Sequence, residues 1–464
     1  MDYYIRLGRF SDMSKKENMF QVIMALALPT MLEQLMQTTV QYIDTAMVGT
    51  LGTTATAAVG STTTVNWLIN GTVMALSIGF LAFISQSLGA NDKELARRAA
   101  GQATMAVLIV GSFFTVVTLS LSNYIPIWMQ VKEEIRRTAA IYFFILFSPM
   151  LFRTATIIFG TVLRAAGDTK TPMKIGILVN IVNVVLNFFM IFPTRPAFDG
   201  RIIIPGFGWG VVGAAIASAI AFVVGGVVIT IIIWRHPLIS PKGQKFTPDM
   251  QILRPCLRVA FPNMLQRFGT SLGYVAFASM INSLGEVATA AHTIANTVES
   301  AFYIPGYGMQ TAAATLAGNA YGAKDESRLK SLVKTFIPIE VCLMIFSGGA
   351  LFVSAPFLVG LFSKSEEVIL LGSTVLRMVA LSEPFYGFSI IIEGFLQGIG
   401  KTKLPFVFNI IGMWGIRIVG TFICTQMLSM GLVSAWACMI AHNMFLFVMF
   451  IICYIKGAWN PFKA

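Results

Sequence analysis

The chain has 464 residues, 56% apolar and only 12% charged, with a mean hydropathy of +0.75. A soluble domain carries about 25% charged residues, so a soluble globular fold is excluded and a polytopic membrane protein is implied. The net charge of +12 would suggest nucleic acid in a soluble chain, but the basic residues are confined to particular loops, where a lipid bilayer accounts for them and no nucleic-acid partner is needed.

Residues 1–18 carry Arg6, Arg9, Lys15 and Lys16 ahead of a long apolar stretch without the short core and cleavage site of a secretory signal. They read as a retained cytoplasmic tail. A spanning helix needs about 20 mostly apolar residues. Loop signals divide the remainder into twelve such segments, at 19–48, 54–88, 97–121, 138–163, 171–193, 209–234, 252–282, 287–320, 331–355, 368–397, 404–428 and 431–455. The expected fold is all-α, with a first lobe at 19–234, a cytoplasmic linker at 235–251, a second lobe at 252–455 and a cytoplasmic tail at 456–464.

A stretch near residue 30 returns 233 residues later, and the register persists. Pro29 matches Pro262, Leu51 and Gly52 match Leu284 and Gly285, and Gly89, Ala90 and Asp92 match Gly322, Ala323 and Asp325. Further on, Leu163, Gly167, Thr169, Lys170 and Pro172 match Leu396, Gly400, Thr402, Lys403 and Pro405. Six spans per half is an even number, so both halves enter the membrane in the same direction, as parallel repeats about an axis along its normal. Residues 194–207 have no counterpart after Met427, which shortens the offset to 221 for Gly210 against Gly431. An extracellular hairpin or lid and a tolerated surface loop are the two readings of that insertion.

Of the 33 Lys and Arg, 23 lie in or beside the N-terminal tail, the even-numbered loops and the C-terminal tail, 6 in the odd-numbered loops and 4 inside spans. This places both termini in the cytoplasm. Trp209 and Trp234, at the two ends of the sixth span, fit interfacial anchoring.

An ionisable side chain at mid-membrane costs roughly 2.5–3.5 kcal/mol on insertion scales. In the first span Glu33 and Asp44 are about three turns apart, and Gln34, Gln37 and Gln41 fall on a neighbouring stripe, which suits the wall of a water-accessible cavity. In the fifth span Asn180, Asn183 and Asn187 share one face. Asn180 reads as inter-helix packing glue. Asn183 and Asn187 read either so or as amides facing Asp44. Asp44 competes with an interfacial, solvated aspartate, and intramembrane rarity favours function.

The second half replaces Asp44 by Phe277 but carries Arg267, Glu299, Arg377, Glu383, Glu393 and Arg417. Arg267, Glu299 and Glu383 form a candidate charge site there, and the expectation is a structural pair between Arg267 and Glu299. Pro29, Pro149, Pro262, Pro305 and Pro384 are expected to kink their spans. The five cysteines read as buried, reduced packing residues, and the three histidines, far apart in sequence, give no metal site.

The Gly-Ala-x-Asp loops at Gly89 and Gly322, the Gly-x-Thr-Lys-x-Pro loops at Gly167 and Gly400, Ile43-Asp44-Thr45 with Val48-Gly49, and Gly210 to Ala215 closely resemble the multidrug and toxic compound extrusion (MATE) transporters of the MOP flippase superfamily. The resemblance runs from about Lys16 to Lys456. It implies a V-shaped pair of six-helix lobes in a bacterial cytoplasmic membrane, a monomer without cofactor, and cation-driven antiport of organic cations and amphiphilic drugs. It further implies that Asp44 is the coupling carboxylate, with Asn183, Asn187 and Ser218 around it. Several relatives have an aspartate where this chain has Asn187, and sodium-coupled relatives have acids where it has Gly269 and Tyr386. The coupling ion is therefore H⁺ in preference to Na⁺, the latter held, if at all, at Asp44.

Met and Phe, 25 and 37 in number, suit a pocket that repacks around varied guests, although most must serve lipid and core packing. A lipid-linked precursor flippase would share the two lobes but usually has further spans and a strongly cationic cavity. A membrane-embedded enzyme would need a catalytic constellation, and none of the familiar ones is present.

Overall fold

The computed structural model describes residues 19–129, 131–197 and 202–463. The expected cytoplasmic tail at 1–18 lies outside the described residues. The first half runs α1 (Met19–Gly49), α2 (Thr53–Gly89), α3 (Lys93–Leu121), α4 (Glu133–Phe147), α5 (Met150–Ala165), α6 (Lys170–Met190) and α7 (Gly210–Trp234). The second runs α8 (Met250–Asn282), α9 (Glu286–Gly322), α10 (Glu326–Phe362), α11 (Glu366–Ala380), α12 (Glu383–Gly398), α13 (Lys403–Met427) and α14 (Leu432–Ile455).

Eight of these helices are long and apolar enough to span by themselves: α1, α2, α3, α6, α7, α10, α13 and α14. The segments expected at 138–163 and 368–397 are each broken. α4 meets α5 at 48° beside Pro149, and α11 meets α12 at 52° beside Pro384, because proline cannot donate to the preceding turn. α8 and α9, at 33 and 37 residues, are also long enough, but Arg254, Arg258 and Arg267 in one and Glu286 and Glu299 in the other make them more polar. Together these account for the twelve segments.

The 233-residue register is structural. Thr53, Lys93, Glu133, Met150 and Lys170 begin helices whose counterparts begin at Glu286, Glu326, Glu366, Glu383 and Lys403. The repeated loop residues explain themselves locally. Asp92 and Asp325 are N-caps, accepting from the backbone N–H of Leu95 at 2.8 Å and of Arg328 at 2.9 Å. Gly167 and Gly400 have φ of +84° and +82°, where a side chain would be strained.

Gly89 and Gly322 do something further. A methyl group on Gly89 would overlap the carbonyl of Asn319, and one on Gly322 that of Gln86, so α2 and α9 cross backbone to backbone about the repeat axis. The Gln86 amide also donates to Gly398 O at 2.8 Å. The apolar cores interlock at this same end. Ile23, Leu26 and Met31 of α1 pack with Met309, Leu316 and Phe395 of the second half, while Ile252 and Cys256 of α8 pack into the first.

The inserted segment forms a hairpin, β1 (Pro193–Ala197) antiparallel to β2 (Ile202–Phe207). Two features depart from the sequence reading. Cys342 is exposed, and Cys424 and Cys438, read as packing residues, stand with sulfurs 3.9 Å apart. α13 is wound as π-helix over Ile411–Ile418 and Ile423–Met427.

Candidate functional site

The buried stripe of α6 is polar: Asn180, Asn183 and Asn187 turn inward while most of its apolar side chains do not. Its neighbours are brought close by glycine. A methyl on Gly213 of α7 would overlap the Met190 carbonyl at the end of α6, which sets Ser218 opposite Asn183.

Asp44 of α1 completes the group. Asn187 Nδ2 donates to Asp44 Oδ1 at 2.7 Å and to Asn183 Oδ1 at 3.1 Å, and Asn183 is 3.0 Å from Ser218 Oγ. The end of the Asn183 amide facing Asp44 is 2.8 and 3.0 Å from its two oxygens. Two oxygens at that distance require a hydrogen between them. Either Asp44 carries a proton and donates to Asn183 Oδ1, or the amide is turned so that Nδ2 donates to the carboxylate and Oδ1 accepts from Ser218. Asn187 Oδ1 is buried and unpartnered.

Glu33, on the same helix, is committed elsewhere. Its Oε1 pairs with Arg164 of α5 at 2.7 Å, and Gly176 leaves room for its stem. Gln34 is half-buried, and Gln37 and Gln41 are exposed. Asn180, read as packing glue, is buried with an Nδ2 that donates to nothing. Amide pairing needs a facing acceptor, which helical periodicity alone does not supply.

Three neighbours were missed in the sequence. Tyr142 lies within electrostatic reach of both Asp44 and Arg153. The Arg153 guanidinium stands 4.6 Å over the Phe222 ring, with a buried Nη1 that has no hydrogen bond. Tyr42 donates to Thr297 O at 2.8 Å, joining α1 to α9 across the two halves. Arg153 was detectable, since a base inside a span is as rare as an acid.

In the second half the expected pair of Arg267 with Glu299 is not among the ion pairs of the described residues. The charge near Glu299 is Arg417, whose guanidinium lies 4.7 Å over the Tyr274 ring and 4.1 Å over that of Phe277. Arg267 instead neighbours Glu393, whose carboxylate accepts from Gln266 at 2.9 Å and Gln397 at 3.2 Å. Sequence distance cannot rank acids that only inter-helix rotation brings near. Glu383 is buried at the head of α12.

Comparison with known proteins is consistent across the chain. The MatE family pattern matches residues 29–189 and again 262–423. A Thermotoga maritima protein named "Probable multidrug resistance protein NorM" is 26% identical over 98% of this chain and 97% of its own. A MATE crystal structure in complex with MaD3S superposes with a TM-score of 0.88 at 24% identity, covering 98% of each chain. An outward-facing multidrug resistance MATE transporter of the MOP superfamily superposes at 0.87 and 24% identity, covering 96% of this chain and 97% of its own.

Proposed function

This chain belongs to the MatE family, matched in both of its halves, and from that premise we propose that it expels amphiphilic organic cations by antiport against H⁺, with Asp44 as the exchanging carboxylate. The observation that carries the reading is a carboxylate within the bundle held by amides alone: Asn187 at 2.7 Å and Asn183 at 2.8 Å, with no cation ion-paired to it among the described residues. A fixed countercharge would make Asp44 structural. Neutral donors leave its charge to be balanced by whatever enters.

A protonated Asp44 donates to Asn183 Oδ1, and an ionised Asp44 accepts from Asn187 Nδ2 and from a turned Asn183 Nδ2. A drug cation and a proton therefore compete for one negative charge. Tyr142, on the broken fourth span, stands within electrostatic reach of Asp44 and, with Arg153 on its other side, restricts which cations fit. Na⁺ would need the oxygens of Asn183 and Asn187 to face Asp44 together, whereas Asn187 presents its nitrogen.

The distribution of Lys and Arg supports a cytoplasmic position for the end where α2 crosses α9, so this conformer is closed towards the cytoplasm. Exchange requires that proton and drug favour different arrangements of the lobes, since a ligand shifts such an equilibrium only through differential affinity. The deciding experiment is efflux of a fluorescent organic cation from proteoliposomes under a pH gradient or, separately, an Na⁺ gradient. Efflux driven by Na⁺ alone would overturn proton coupling, and undiminished efflux by Asp44→Asn would overturn the role of Asp44.

A further inference from the structure

The last two helices carry chemistry of another kind. Cys424, in the π-wound turn Ile423–Met427 that ends α13, has its sulfur 3.9 Å from that of Cys438 on α14. Gly420, one turn before Cys424, makes the space: a methyl there would stand 3.1 Å from Cys438 Sγ. The connection between the helices is short, 428–431, and Met430 N donates to Cys424 O at 2.8 Å, which fixes the end of α13 beside the start of α14. Bonded sulfurs are about 2 Å apart, so closing the pair needs a movement within reach of two rotatable side chains. Among the described residues these are the two thiols in contact.

Both cysteines are half-buried, and the same stretch of α13 exposes Val419, Phe422, Ile423 and Met427. On a helix long and apolar enough to span, such a face meets hydrocarbon. A reagent that approaches the pair from this side must dissolve in lipid. The pair also stands at one end of an unusual stretch. α13 is π-wound from Ile411, with Gly412 packed on the His442 ring of α14 near the start and Cys424 on Cys438 at the finish. Between them Arg417 stacks over Phe277 of α8. A π turn holds more residues than an α turn, so unwinding to α would rotate everything beyond it relative to α14. A covalent bond from Cys424 to Cys438 forbids that rotation.

We propose that Cys424 and Cys438 form a redox modification site, at which a lipid-soluble quinone joins α13 to α14 through a disulfide and so holds the π winding in place. Two S–H bonds break and one S–S bond forms, while the two electrons and two protons reduce the quinone to its hydroquinone. A dithiol, itself oxidised to a cyclic disulfide, restores the two thiols. The site involves neither Asp44 nor the antiport reading.

The test uses the full-length protein in liposomes, first reduced and then exposed to a fully substituted short-chain benzoquinone, which offers no open ring carbon for thiol addition. Non-reducing peptide mapping should show Cys424 joined to Cys438, two hydrogens lighter than the separate peptides, with the link lost in Cys424→Ala and in Cys438→Ala. Hydrogen exchange of peptides across 411–427 should be slower in the oxidised protein than in the reduced one, and unaffected by the quinone in either alanine variant. Free thiols at both positions after the quinone, or a link formed equally fast by water-soluble oxidised glutathione, would overturn the proposal. A quinone adduct on either sulfur would overturn it in favour of alkylation, and equal exchange in oxidised and reduced wild type would overturn the lock on winding. Should one alanine variant fail to fold, the other decides.

Discussion

Asp44 is held by donors that differ in what they give up when removed. Asn187 Nδ2 makes the shortest contact, 2.7 Å, to the carboxylate. A hydrogen bond to a charged group contributes about 1.5–3 kcal/mol, so Asn187→Ala should lower pH-driven efflux about tenfold or more. Asn180→Ala, whose Nδ2 donates to nothing, should stay close to wild type in the same liposome assay. A comparable loss in both variants would show that the α6 amides act on packing rather than on Asp44. Rarity of charge inside a span made Asp44, Glu299 and Glu383 legible in the sequence. The same signal was available for Glu340 and Arg153. What was not legible was which charges face which, because a helix rotation of one residue, about 100°, exchanges one partner for another.

Helices and their joints were the most legible level. The repeated Asp92 and Asp325 caps and the left-handed Gly167 and Gly400 are local devices, and local devices show in sequence. Gly89 and Gly322 look like loop glycines in the sequence, but the structure makes them the crossing point of α2 and α9. Gly322→Leu should hold those helices apart, with loss of efflux and faster labelling of a cysteine introduced at Gln86 in an otherwise cysteine-free protein. Labelling no faster than in the parent protein would mean that the crossing does not control access. The π-helical turns of α13 had no sequence signature. At Gly412 a methyl would overlap the buried His442 ring of α14, so the unusual winding lies where a bulky neighbour presses on the helix.

Across the whole molecule the linker closes the end at which α2 crosses α9. Asp249 caps α8, accepting from Gln251 N at 3.0 Å, and pairs with Arg98 of α3, while Gln102 donates to Thr247 O at 2.8 Å. The Arg98 guanidinium holds the Asp249 carboxyl below the ordinary carboxylate value of 3.8. A depressed folded value means that this contribution is complete above the ordinary one and is lost as pH falls through the depressed one. Inter-lobe spin-label distances at this end should therefore differ between wild type and Arg98→Gln at neutral pH and converge only in strong acid. Convergence already at mildly acidic pH would remove the pair as the latch. A cysteine pair at positions 98 and 249, oxidised, should arrest efflux, and reduction should restore it.

Class, span number, two-fold repetition and the identity of Asp44 as an unusual residue were determined by the sequence alone. Hydropathy, helical period and repeat register are properties of neighbours along the chain. The Asn183–Asn187–Asp44 cluster, the Arg417 stack over Phe277 and the Glu340 wedge between Gly306 and Gly387 were decided only in the folded bundle. Each depends on the rotation and spacing of helices far apart in sequence, and those are set by small-residue contacts between backbones rather than by the residues that do the chemistry.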